Sequence, residues 1–481
     1  MTDRLWTAYE AAAATDGMLC VRGGHDAENP DLWVAEEWSA QGISIDTRSI
    51  KPGEIFVALK DARDGHEFLS SAFERGASAA LVDRAPKDTP DGAPLLVVRD
   101  TLDGLRDLAR AARVRNFGKR IAVTGSAGKT STKEMMRTAL AANGTVHAAD
   151  KSFNNHLGVP LTLASMPMHS DFGVFEIGMN HAGEITPLTA LVAPHVAVIT
   201  TVAPAHLEFF PSVEAIAEAK AEIFSGLVRG GAAILPRDNE HFDLLSARAD
   251  RAGVSRKITF GAHEESDYRL ISHKQDDKVA TIEAQIFGQD LSYQLGVLGR
   301  HQAMNSLAVL AAAAAVGADV NLVAKALNHH QAGTGRGERK TVTLNGAAIT
   351  IIDESYNANP VSMAASIASL GATEPQKDGR RIAVLGDMLE LGDNAKAFHA
   401  DLAKNLTAEK VDLVFTAGTM MNHLFSSLPQ EMRGGSGAEV SEIAPLLLND
   451  LRDGDIILVK GSNASKVSEI ISILENGRRT G

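Results

Sequence analysis

The chain has 481 residues, enough for about three domains at roughly 100–200 residues each. Its 47 Lys and Arg against 60 Asp and Glu leave a formal charge of −13. That balance excludes a general nucleic-acid or anionic-membrane surface, either of which needs a basic face, but it leaves room for a local basic pocket around one phosphorylated small molecule. A single cysteine, Cys20, excludes an intrachain disulfide and a cysteine zinc cluster. The opening MTDRLWTAYE lacks the basic-then-apolar order of a signal peptide. The longest apolar tract, LAVLAAAAAVGA at 307–318, is too short and too rich in alanine for a bilayer. A cytoplasmic protein with no membrane span is expected.

Three regions follow one another. In the first, 1–112, short strand-like runs (ISI, EIFVAL, AALV, LLVV) alternate with polar turns and one helix, FLSSAFERGA. The basic helical stretch LRDLARAARVRNFGKR leads into the second region, 113–331. There IAVT at 121–124 opens an alternation of strands and helices, which predicts a mostly parallel sheet covered on both faces. A helix is expected from Thr130 to Ala142, and further strands at VFEI (174–177), VAVITTV (196–202) and AAIL (232–235). From Tyr268 to Leu298 the alternation of polar and apolar residues predicts antiparallel hairpins, closed by helices over about 302–316 and 321–328. The third region, 332–481, begins with the glycine-rich linker AGTGRGER. Asn345-Gly346 between two β-rich runs is a type I′ hairpin signal, and IAVLGDM, LVFTAG and DIILVKGS then predict a smaller doubly wound unit. The fold class is thus α/β in three domains: a mixed amino-terminal domain, a central parallel-sheet domain with a phosphate loop, and a Rossmann-like carboxy-terminal domain.

The sharpest motif is TGSAGKTST at 124–132, between a strand and a helix. Gly125 and Gly128 permit a tight turn whose backbone N–H groups, with those of Ser126, Ala127 and Ser131, cradle phosphate oxygens at a helix amino terminus. Lys129 brings a full charge to the terminal phosphates, and the Thr130 hydroxyl suits magnesium. The full pattern also wants Gly where Val123 stands, so this is a shortened variant. ATP is the expected ligand. A kinase, a switch ATPase and a carboxylate-activating ligase all share such a loop.

Several residues surround that loop in the expected topology. Glu176 ends a strand, where a carboxylate can hold magnesium against phosphate or serve as a cap. His206 follows the next strand. In SVEAIAEAKAEIF the positions Val213, Ile216, Ala217, Lys220 and Phe224 share one helical stripe, which turns Lys220 inward. A buried amine loses its proton readily and can then take up carbon dioxide as a carbamate, an oxygen ligand for magnesium; the plainer alternative is a lysine that snorkels or pairs with a carboxylate. His301 and Asn305 could read an adenine edge or cap their helix. Asp353 and Glu354 follow an apolar strand where a ribose hydroxyl would lie, and Arg336 in the linker could reach a phosphate.

Taken together the chain resembles the Mur ligases of bacterial cell-wall synthesis. The resemblance rests on DTRSIKPGEIFVAL, DGHEF, TGSAGKTSTKEM, FNNHLGVPLTL, FEIGMNHAGEI, TTVAPAHLEFF, AKAEIF, LGRHQAMNSLA, DESYNANPVSM, GDMLELG and LVKGS, in that order over 44–462. It implies an ATP-dependent amide ligase that joins D-alanyl-D-alanine to UDP-N-acetylmuramoyl-tripeptide through an acyl phosphate, acting as a monomer without nucleic acid. It implies that Lys129, Lys220, His206 and Arg336 serve catalysis. It further implies that two Mg2+ ions are held by Thr130, Glu176, His206 and carbamylated Lys220. Asn305 matches an adenine contact, Thr47 and Arg48 a uridine-binding segment, and Asn154 and Asn155 a motif of the substrate cleft; Asn359 and Lys460 are expected on the substrate side. Two positions depart from the family's usual residues: Gln302 in HQAMN, where Asn is frequent, and Asn463, where Arg is frequent. A folate polyglutamate ligase and an ATP-driven switch are the rival readings.

Overall fold

The structure, a computed structural model, describes residues 4–22, 32–34 and 37–476. Each of its three main sheets follows from a run of short apolar strands. The first has six strands in the spatial order Leu32–Val34, Met18–Arg22, Pro94–Val97, Ala79–Val82, Glu54–Val57, Gly42–Ser44. The last four of these run parallel, while Met18–Arg22 pairs antiparallel on both sides. Trp6–Thr7 and Ser39–Ala40 form a separate two-stranded ribbon.

The central sheet has nine strands. Six run parallel in the order Val146–Ala148, Phe172–Glu176, Lys119–Thr124, Val196–Ile199, Ala232–Pro236, Arg256–Gly261. Tyr268–Gln275 joins Arg256–Gly261 in parallel, and Ala280–Ile286 and Gln289–Leu295 then follow it as the expected antiparallel hairpins. Val146–Ala148 and Arg256–Gly261 were not evident from the sequence, and the strand expected over 196–202 stops at Ile199 because Thr200 and Thr201 turn away to bond the phosphate loop. Lys119–Thr124 has Phe172–Glu176 on one side and Val196–Ile199 on the other, so the chain order reverses at its carboxyl end. That switch point is where open α/β sheets bind ligands.

The third sheet has the order Glu338–Leu344, Ala347–Glu354, Ile456–Lys460, Arg381–Gly386, Leu413–Ala417, Arg433–Gly437. Its first pair is the expected hairpin: Leu344 faces Ala347, and Asn345 and Gly346 take φ of +52° and +86°, as a type I′ turn requires. The remaining strands are parallel.

The helix Thr101–Arg115 runs through the boundary expected after residue 112, so the joint between the first two sheets falls at Asn116–Gly118. This helix packs against Gly158–Ala164 and Ile185–Val192, and one apolar cluster extends without a break from Leu5 through Ala112 to Val254. The third sheet is different. Its two faces have their own apolar clusters, and among the described residues neither cluster reaches the central sheet.

Candidate active site

The phosphate loop lies at the switch point because the segments flanking it are tied together. Ser126 N donates to Thr201 O at 2.8 Å, Thr200 Oγ1 to Ala127 O at 2.5 Å, and Ser126 Oγ to Ala203 O at 2.9 Å. Gly128, at φ +79°, caps the helix Lys129–Leu140, and a Cβ there would stand 3.0 Å from the Asn305 side chain. Gly125 is more constrained still, since its Cβ would meet Thr200 Oγ1 at 1.9 Å. These two positions are glycine because the loop is pressed between its neighbours.

A polar chain crosses the site. Thr130 Oγ1 donates to the buried Glu176 carboxylate at 2.6 Å and lies 2.9 Å from Ser152 Oγ. Asn154 Nδ2 donates to the other Glu176 oxygen at 2.7 Å, and Arg336 donates to Ser152 Oγ at 2.9 Å while its guanidinium lies over the Tyr356 ring at 3.9 Å. Thus the loop, the strand end, the FNNH segment and the linker arginine share one network. Lys129 Nζ donates to Gly125 O at 2.7 Å; burial pushes its ammonium pKa down, Glu176 pulls it back and Arg336 opposes that pull.

Lys220 sits near the end of the helix Val213–Ala221, where Ile216, Ala217 and Phe224 of its stripe are also buried. It is 2% exposed and forms no ion pair among the described residues. Burial first, then the charge of Lys129, holds its amine well below the ordinary lysine range. It is within electrostatic reach of Lys129 and His206. His206 lines the cleft at φ +58°, with Nδ1 paired to Glu390 from the third sheet's unit.

The cleft has a volume of about 560 Å³ and is walled by both units. The central unit supplies residues 126–131, Ser152, Asn154, Glu176, His206, Gln302 and Asn305; the carboxy-terminal one supplies Arg336, Glu354, Asn359 and Lys460. Asn359 caps the helix Pro360–Gly371 and its Nδ2 donates to Ser126 O at 3.1 Å, so the C-terminal unit touches the loop directly. Lys460 Nζ donates to Asn357 O at 3.0 Å and has the Glu354 carboxylate at 3.7 Å. Pro236, Phe260 and Met304 give the cleft apolar wall, and Gln302, also in the lining, has a buried Oε1 with no hydrogen-bond partner among the described residues. An unpaired buried acceptor beside apolar walls suits a flat heterocycle that carries a donor. The fit to a nucleotide and metal is therefore good at three points: a glycine cradle, a Thr–Glu oxygen pair, and an orphaned amide.

Some expected residues lie elsewhere. Asp353 is 1% exposed and does not line the cleft; it accepts from Gly335 N at 2.9 Å and Ser355 Oγ at 2.6 Å, which pins the linker turn. Glu354 is the one of the pair at the cleft. Asn155 Oδ1 accepts from Gly158 N at 2.9 Å and lines a second cleft of about 700 Å³ with Arg106 and Arg110. Thr47 and Arg48 line neither cleft. Arg48 is bound by Asp46, which in turn is pushed down to about 2 by that hydrogen bond. Among the described residues no three His, Cys, Asp or Glu side chains converge as a ready metal cluster, which is consistent with Glu176 and His206 coming from separate strand ends. Ser152, Tyr356, Thr200 and Glu390 escaped sequence reasoning; all but Ser152 lie in motifs already singled out.

Two family descriptions match: "Mur ligase middle domain" over 123–313 and "Mur ligase, glutamate ligase domain" over 335–463. The UDP-N-acetylmuramoyl-tripeptide–D-alanyl-D-alanine ligase of Bacillus subtilis is 34% identical over 446 residues, 91% of this chain and 94% of that protein. This chain belongs to the Mur ligase family. The enzyme of the same name from Escherichia coli is also 34% identical, over 90% of this chain and 94% of its own. Among solved structures, MurF from Acinetobacter baumannii superposes with a TM-score of 0.82 at 28% identity, covering 98% of this chain and 99% of that one. MurF from Thermotoga maritima in complex with ADP gives 0.75 at 26% identity, over 91% and 97%. The Mur ligase fold and its use of ATP thus apply to this chain. Among the described residues no helix is long and apolar enough to cross a membrane.

Proposed function

We propose that this Mur ligase joins D-alanyl-D-alanine to the terminal carboxylate of UDP-N-acetylmuramoyl-tripeptide, with ATP converted to ADP and phosphate. The observation that carries the reading is the shared cleft: a phosphate loop faces Arg336, Asn359 and Lys460 of another unit, so a nucleotide and a second substrate can meet between them. The names of its relatives from Bacillus subtilis and Escherichia coli, matched over nine-tenths of the chain, agree with it.

The substrate carboxylate oxygen attacks the terminal phosphorus, and the bond to ADP breaks, giving an acyl phosphate. The amine of the dipeptide then attacks the carbonyl carbon, loses its proton, and phosphate departs as the amide forms. Two like charges at 4 Å repel by about 4 kcal/mol at an effective dielectric of 20, so carboxylate and triphosphate meet only if cations offset them. Lys129 from the loop and Arg336 from the linker both line the cleft and do this, in the manner of other phosphoryl-transfer sites. Thr130, Glu176 and His206 would hold two Mg2+ ions, joined by Lys220 after its neutral amine has taken up carbon dioxide and released a proton. Metal held by these residues would neutralise charge on the phosphate oxygens. Gln302 and Asn305 contact the base, and Glu354 the ribose. Asn154 and Asn155 face the peptide arm, Thr47 and Arg48 the uridine, and Asn359 and Lys460 the incoming dipeptide. Three domains, expected over 1–112, 113–331 and 332–481, suit the three sheets, with the first joint moved to Asn116–Gly118 after the helix Thr101–Arg115. Supplies of ATP and UDP-linked precursor assign the reaction to the cytoplasm.

Incubation with ATP, magnesium, UDP-muramoyl-tripeptide and D-alanyl-D-alanine tests the reading. Mass spectrometry should find the tripeptide precursor heavier by the dipeptide less one water, and unchanged when the dipeptide is omitted. ATP turnover with an unaltered precursor, both building blocks being present, contradicts it.

A further inference from the structure

Two strained residues face each other where the carboxy-terminal unit meets the central one. His206 takes φ +58° in the segment after Val196–Ile199, and Glu390 takes φ +61° in the turn after Arg381–Gly386. Side chains other than glycine seldom enter this left-handed region unless their surroundings hold them there. Here each holds the other. The Glu390 carboxylate pairs with His206 Nδ1, and Glu208 N donates to Glu390 O at 3.1 Å.

The turn that presents Glu390 is fixed from behind. Met388 N donates to His399 Nε2 at 3.0 Å, Leu389 N to Ser462 Oγ at 3.1 Å, and Ser462 N to Asp387 O at 3.0 Å. The Glu390 side chain is 42% exposed, so the pair fills no core and packing alone does not require it. Its other end lies at the cleft, because His206 is part of the wall that contains Lys129 and Glu176.

We propose that Glu390 is a positioning residue for the ligation: by engaging His206 Nδ1 it fixes the ring and leaves Nε2 as the nitrogen free to act in the cleft. A carboxylate behind a histidine sets its tautomer and orientation in just this way at metal sites. Because Glu390 belongs to the other unit, the ring is oriented only while the two units are seated together. Closure and completion of the site are then one event. The inference rests on the ligase reading, with His206 as a metal ligand.

The test compares the full-length wild type with Glu390→Ala, Glu390→Gln and Glu390→Gly. Three quantities are read: kcat with KM for each substrate, the magnesium concentration giving half-maximal rate, and the radius of gyration by small-angle scattering with a non-hydrolysable ATP analogue and magnesium. Glu390→Ala should lower kcat by about tenfold and raise the magnesium requirement by a similar factor. KM for the UDP-linked substrate should stay within twofold, on the order of an unperturbed site, and the nucleotide complex should be less compact than the wild type. Glu390→Gln, which can still accept from Nδ1–H, should recover part of the rate. Glu390→Gly accommodates the positive φ, so it separates backbone strain from the carboxylate and should behave like the alanine variant. Wild-type rate, magnesium requirement and scattering in Glu390→Ala overturn the proposal. So does a rate loss with an unchanged magnesium requirement, or full activity in Glu390→Gly. A wild type that forms no amide would remove the ligase reading, whereas the scattering comparison would still report on the contact itself.

Discussion

The two joints of this molecule are made of different material. Between the first sheet and the second, Trp6 is 1% exposed, its Nε1 donates to Ala164 O at 3.0 Å, and Arg115 covers its ring at 3.8 Å, all within one continuous apolar cluster. Between the second sheet and the third, the contacts that reach the site are polar: Asn359 to Ser126, Arg336 to Ser152, and Glu390 to His206. Apolar burial is non-directional and strong in sum, so the first joint behaves as part of a core. Hydrogen bonds exchange with water at little net cost, about 1 kcal/mol each, so the second can open and close. The chain places its phosphate loop on the rigid side of this division and Arg336, Glu354, Asn359 and Lys460 on the movable side.

Breaking the first joint should have the largest effect. Trp6→Ala removes a buried indole and should lower unfolding free energy by about 3–5 kcal/mol, read as a lower thermal midpoint by circular dichroism. An unchanged midpoint would mean the first two sheets do not share a core. Arg336→Ala attacks the second joint and should do the opposite. Stability should stay within about 1 kcal/mol of wild type, while kcat for ligation falls roughly 10²–10³-fold, as when one electrostatic contact to a transition state is lost.

A third change sharpens the comparison at the point where the linker leaves the central unit. His330 is 5% exposed, lies 3.1 Å from Thr138 Oγ1, and is pushed down to about 4, mainly by burial. The folded chain therefore keeps it neutral while the unfolded chain protonates it near the ordinary histidine value. Its contribution to stability is complete above that value and is lost as pH falls toward the folded one, at roughly 1.4 kcal/mol per pH unit for one proton. Urea melts of His330→Asn across this window should show a shallower acid loss than wild type; parallel curves would contradict the assignment.

The smallest effects should separate the neighbouring acids. Glu354→Gln should raise KM for ATP several-fold, on the order of one hydrogen bond, with little change in stability. Asp353→Asn should lower stability by about 1–3 kcal/mol through the linker turn, with KM for ATP less affected. Reversed results would exchange their roles.

Much of this was legible in the sequence because the relevant signals are local. The glycines of TGSAGKTST, the Asn345-Gly346 turn and the stripe carrying Lys220 each report a backbone or helical geometry that needs few neighbours. Glycines at 125 and 128 and the inward lysine therefore appear where the pattern puts them. Asp353 and Glu354 show where such reading ends: both close the same strand, and only the turn at Gly335, far enough away in sequence to be unseen, decides which carboxylate is consumed. Glu390 stands in GDMLELG with no role visible in the sequence, since its partner His206 lies 184 residues earlier. Tyr356, in DESYNANPVSM, gains significance only once Arg336 folds over it. The division between an apolar and a polar joint was invisible for the same reason. Trp6 looks like any amino-terminal aromatic until Ala164 is placed beside it.

Oxygen-labelled precursor gives the most direct test of the chemistry assigned to the shared cleft. With ¹⁸O in the terminal carboxylate of UDP-muramoyl-tripeptide, and ATP, magnesium and D-alanyl-D-alanine supplied, the account predicts one labelled oxygen in the released inorganic phosphate and one retained in the new amide. Phosphate carrying only oxygen from ATP and solvent would contradict activation of the carboxylate by phosphoryl transfer.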